Sequence, residues 1–184
     1  MGELKSAWEI AQEKARKLGE LSAEEQRQQL EERCQQIAQA ITRRYLDQEG
    51  LDIATELNGC SEGEKDLVRQ ATLSYLTQGM ELRNPQRLEK IAQGILSLEP
   101  KLQPIVGQII ELAREYEQAG SKIRQEIVNK GRETLHQLRI SGTAVGNISI
   151  QATAEWQETW RRLIEPFEER LDSLKKGLVS SIRG

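Results

Sequence analysis

PIVGQIIELAREYEQAGSKIRQEIVNKGRETLHQLR, residues 104–139, is the stretch on which the fold turns. Val106, Ile109, Ala113, Tyr116, Gly120, Ile123 and Ile127 follow one another by alternating steps of three and four, a heptad seam. Gly131, Leu135 and Leu138 continue the seam after one extra step of four. No proline falls inside the stretch after Pro104, so the spacing predicts one helix about 50 Å long at 1.5 Å per residue. A helix of that length with a continuous apolar stripe must lay the stripe against other helices.

The partner closest in sequence lies downstream. Trp156, Trp160, Leu163, Phe167, Leu171, Leu174, Leu178 and Ile182 predict a last helix over roughly 152–182. Pro166 sits inside it and is expected to kink it, because the ring meets the carbonyl of Arg162. Between the two helices, residues 140–150 mix β-branched residues with Gly146-Asn147, a short β-like connection. Together these pieces predict a long C-terminal antiparallel helical hairpin over 101–184.

Upstream the helices are shorter. Leu4, Ala7, Trp8, Ala11, Ala15 and Leu18 predict a helix over 3–18 that stops at Gly19. Ser22 and Glu25 form a capping-box signature, opening a helix to about 48 with Leu30, Cys34, Ile37 and Ile41 inward and Gly50 at its end. A short helix is expected over 51–57. Ser61 and Glu64 repeat the capping signature for a helix to about 82, and Asn84-Pro85 opens another that stops before Pro100. The fold class is therefore all-α: a bundle of shorter helices over 1–100 and the hairpin over 101–184, expected to fold as one cooperative domain.

Composition agrees and excludes several functions. Glu, Lys, Arg, Leu and Ala supply 87 of 184 residues, the usage of long helices and coiled coils. Leu, Ile, Val and Phe supply 44, above the roughly one-fifth below which a chain tends to stay disordered. Net charge is −3 with both signs spread along the chain. No dense basic stripe is present, so no nucleic-acid partner is expected. No apolar run approaches the roughly 18 residues of a membrane span, and the charged start Met1-Gly2-Glu3-Leu4-Lys5 is unlike a secretory signal; a cytoplasmic protein is expected. Cys34, on an apolar stripe, is expected to act as a small hydrophobe, and Cys60 to sit in a turn.

Leu4-Lys5-Ser6-Ala7-Trp8-Glu9-Ile10-Ala11 with Leu18-Gly19-Glu20-Leu21-Ser22 resembles an uncharacterised family of small all-helical bacterial proteins. Ile140-Ser141-Gly142-Thr143-Ala144-Val145 and Ala154-Glu155-Trp156-Gln157-Glu158 look like that family too. The resemblance implies bacterial origin and a helical fold, and it supplies no activity.

Catalytic chemistry has little to work with. His136 is the single histidine, so a Ser or Cys nucleophile has one imidazole to draw on. Asn129-Lys130-Gly131-Arg132 lacks the glycine spacing of a phosphate loop. Glu133 and His136 share a helix face as in di-iron carboxylate bundles, which need two such motifs and two further Glu. A metal or small-ligand carrier using the bundle interior is thus the alternative reading, and no cofactor is expected from the leading one. That leading reading is a non-catalytic structural or protein-interaction protein (scaffold, adaptor or assembly factor) that associates with itself as a homodimer and with another protein. Ile123, Ile127, Trp156, Trp160 and Arg161 are the candidate interface residues, since Trp and Arg dominate binding energy at interfaces. Arg43-Arg44-Tyr45 is a further candidate for docking an acidic partner.

Overall fold

A computed structural model describes residues 22–48, 50–137 and 154–183, with side chains of 154–156 and 183 left aside. The described chain is all-α: α1 (Ala23–Asp47), α2 (Ile53–Asn58), α3 (Glu62–Gln78), α4 (Pro85–Leu98), α5 (Gln103–Gln137) and α6 (Ala154–Arg183), with one 3-10 turn at Pro100–Leu102. No strand occurs among the described residues. The helix expected over 3–18 and the β-like connection at 140–150 lie outside them.

Local signals set most helix starts. Ser22 Oγ accepts from the Glu25 amide at 3.2 Å, and Glu25 accepts from the Ser22 amide at 2.8 Å, completing the capping box of α1. The two bonds hold the exposed Glu25 carboxyl below its ordinary pKa, the Ser22 backbone bond contributing most. Asn84 accepts from the Arg87 amide at 3.1 Å with Pro85 at the first helical position of α4. The second expected capping box does not form. Ser61 is the N-cap of α3 without a side-chain cap, because its hydroxyl donates to the Glu64 carboxylate instead. That helix ends at Gln78, earlier than expected, and Met80 and Leu82 then turn into the core.

Two helix ends are closed by cations from other helices, which suits the negative end of the helix dipole. Lys90 of α4 donates to Leu46 O at 3.2 Å and Gln48 O at 2.9 Å, at the end of α1. Arg69 of α3 donates twice to Leu98 O, at 3.1 and 2.6 Å, and pairs with Glu99 at 2.7 Å, at the end of α4. Tyr45, buried on α1, donates its hydroxyl to Lys90 O at 2.8 Å. Its ring lies so close to Gly94 that a Cβ there would stand 2.8 Å from Cε1. Glycine is needed at that crossing.

One apolar core runs from Cys34 of α1 to Leu178 of α6 and passes without interruption through Leu98, Leu102 and Val106. Thr42, Thr72 and Thr77 are buried in it, and each hydroxyl donates to the carbonyl one turn earlier. No buried side-chain polar atom among the described residues lacks a hydrogen-bond partner.

The long C-terminal hairpin is present. Glu115 of α5 pairs with Arg170 of α6 at 2.7 Å, Tyr116 meets Phe167 at 5.6 Å, and Gly120 abuts Trp160. As numbers rise on α5 they fall on α6, so the two helices run antiparallel. Pro166 lies within a continuous α6.

Candidate interaction surface

The seam of α5 divides into two parts. Val106, Ile109, Ala113, Tyr116 and Gly120 are buried, with Leu112 beside them, and burial on this helix stops there among the described residues. Ile123, Ile127, Val128, Gly131 and Leu135 are only half-buried. On α6 the buried residues are Ile164, Leu171 and Leu178. Beyond the level of Gly120 and Ile164 lies an arm of the hairpin with no buried side chain among residues 121–137 and 157–163.

Trp160 stands at the root of this arm. Its ring meets Tyr116 edge-on at 5.9 Å with an interplanar angle of 63°, and a Cβ on Gly120 would come within 3.0 Å of it. Trp160 and Phe167, on either side of Pro166, thus clasp the same tyrosine. Burial holds the Tyr116 phenol above its ordinary value near 10, against a smaller opposing effect of Arg83, so the ring stays neutral and serves packing. The half-buried Trp160 also lines an open groove of about 500 Å³ with Arg83, Arg161, Ile164 and Glu168. Arg83 and Glu168 pair across it at 3.4 Å.

Of the five expected interface residues, the structure brings Trp160 and Arg161 to this groove and places Ile123 and Ile127 half-buried farther along the arm. Arg161 is exposed and pairs with Glu158 at 3.5 Å. The Trp156 side chain lies outside the description. Arg43-Arg44-Tyr45 is not a docking patch: Tyr45 is buried, Arg44 pairs with Glu56 of α2 at 2.8 Å, and Arg43 pairs with Asp47 at 3.6 Å.

A second groove, of mixed polar and apolar lining, was not anticipated from the sequence. An open groove of about 360 Å³ lies where α1 and α3 meet the C-terminal end of α6, lined by Glu31, Gln35, Leu67, Ala71, Val179 and Ile182. Leu30 and Leu67, each 37% exposed, are the exposed large hydrophobics of the described chain. Cys34 lies at its floor, 2% exposed, and burial raises the pKa of its thiol, which keeps it protonated and unreactive.

Glu133 and His136 are exposed near the end of α5. Among the described residues no group of three or more His, Cys, Asp or Glu side chains is placed to hold a metal ion. No helix of the described chain is long and apolar enough to cross a membrane. What the surface offers is aromatic, aliphatic and guanidinium contact area.

Compared with known proteins, the chain matches no family model, no curated protein and no solved structure.

Proposed function

We propose that this is a non-catalytic structural or protein-interaction protein that works by binding protein, itself first, in the manner of a scaffold, adaptor or assembly factor. One observation carries the reading: the seam of α5 is buried up to Gly120 and then runs on, still apolar but only half-covered, through Ile123, Ile127 and Leu135. Two helices side by side shield one flank of each stripe, whereas four shield nearly all of it. Completing the burial of an isoleucine contributes up to about 1.5–3 kcal/mol, so several together favour a partner. A cytoplasmic setting fits the two free thiols, Cys34 and Cys60.

Light scattering coupled to size exclusion, on the full chain over a range of concentrations, tests self-association. A homodimer at micromolar concentration is expected, weakened by Ile123→Glu with helicity retained. A mass that stays at one chain at every concentration would contradict it.

A further inference from the structure

The first half of α1 is exposed. Residues 23–33, about three turns of helix, carry no buried side chain, and the first buried residue of α1 is Cys34. Leu30 stands open on this stretch. The groove where α1 and α3 meet the end of α6 begins at the same level: Glu31 and Gln35 line it from α1, Leu67 and Gln70 from α3, Val179 and Ile182 from α6. Its lining thus mixes aliphatic side chains with the oxygens of two amides and a carboxylate. That mixture suits an indole, a large apolar ring with one N–H donor at its edge.

The sequence places an indole at the matching distance. Residues 1–21 precede the Ser22 cap, and only Gly19, Glu20 and Leu21 separate it from the helix expected over 3–18. So short a connection holds the end of one helix beside the start of the next, as in an antiparallel helical hairpin. Both helices rise 1.5 Å per residue, so a hairpin keeps register along its length. With Leu18 level with Ala23, Ala11 falls level with Leu30, Trp8 with Arg33 and Leu4 with the half-buried Ile37. Leu4, Trp8, Ala11, Ala15 and Leu18 share one face, at steps of four, three, four and three. In that register Trp8, the one aromatic residue of 3–18, arrives between the levels of Glu31 and Gln35, at the groove.

We infer that residues 3–18 dock within their own chain, as a helix folded back along α1 that seats Trp8 in the α1–α3 groove against Leu67, Val179 and Ile182. The small side chains of Ala11 and Ala15 let the two helices approach closely between the turn and Trp8. The contact needs no second copy and is independent of the self-association proposed above.

Fluorescence of the full chain carrying Trp156→Phe and Trp160→Phe, in which Trp8 is the sole indole, tests this once circular dichroism has shown retained helicity. Trp8 is expected to emit at shorter wavelength than a water-exposed indole and to be protected from acrylamide, with neither property changed by dilution. Leu67→Glu, at an exposed position on the groove, should shift the emission to the red and remove most of the protection. In the otherwise unaltered chain, Trp8→Ala should speed amide exchange over residues 23–33 and leave α4 as it was. An indole open to water, or one whose shielding survives Leu67→Glu, overturns the proposal. So does exchange over residues 23–33 that is indifferent to Trp8→Ala. Shielding that is lost on dilution also overturns it, because the segment in the groove would then come from a second copy.

Discussion

At Tyr45 a single side chain of α1 reaches two residues of α4 that are distant from it in sequence. Its hydroxyl reaches Lys90 O, its ring presses on Gly94, and the Lys90 ammonium lies 5.5 Å from the ring centre. Gly94→Ala should therefore destabilise the protein by about 1–3 kcal/mol, because the buried ring must shift from its hydrogen-bonded position to admit the methyl. Gly107→Ala is the control: a Cβ there meets nothing within 4 Å, so the change should stabilise α5 by about 0.5–1 kcal/mol. Urea denaturation of both variants checks the pair, and equal losses would contradict the packing described. Tyr45→Phe should cost about 0.5–1.5 kcal/mol for the lost hydrogen bond. None of this was legible in the sequence. Tyr45 follows two arginines and reads as part of a charged helix end, while Gly94 reads as a blemish in an otherwise good helix. Their meaning comes from a crossing between helices whose residues lie some 45 positions apart. Cys34, by contrast, was legible, because a thiol in register with Ile37 and Ile41 shares their face.

The helices differ in how far their own sequences define them. α1 begins where Ser22 and Glu25 cap each other, so Ser22→Ala should loosen its first turn by about 1 kcal/mol, seen as faster amide exchange there. Ser61→Ala should do less at α3, since that hydroxyl contacts a carboxylate and caps no amide. The two sites share a sequence signature, and the difference lies in which acceptor the hydroxyl takes, a choice between neighbouring rotamers that no pattern encodes. The Glu25 cap also carries a pH dependence. Its folded pKa is lowered, so its contribution is full above the ordinary value near 4.5 and is lost as pH falls through the lower folded value. First-turn amides of α1 should exchange faster, relative to the helix centre, as the solution is acidified through that range. The start of α5 was legible to within a residue, expected at 104 and found at Gln103, and the helix runs unbroken through Gln137, the last described residue before 154. Its burial was not. The seam is uniform in sequence, yet Leu112, off the seam, is buried while Ile123 and Ile127, on it, are half-exposed. Periodicity tells which face is apolar; neighbouring helices decide how much of that face is covered.

For the whole molecule, the all-α class and the C-terminal hairpin followed from composition and periodicity, because helix pairing along long stripes needs little else. The groove between α1 and α3 did not, since Leu30 and Leu67 look like ordinary members of two separate stripes until the helices are brought together. The described molecule thus has a filled bundle core and a stretch of α5 beyond Gly120 whose apolar residues are only half-buried. In the proposed dimer the arm of α5 beyond Gly120 is covered by a second copy. Hydrogen exchange of the arm amides, residues 121–137, compared at low and high protein concentration, addresses this most directly. Slower exchange in the arm at high concentration is expected, with the bundle amides of α4 unchanged as an internal reference. Exchange in the arm that is the same at every concentration would contradict the claim that a second copy completes it.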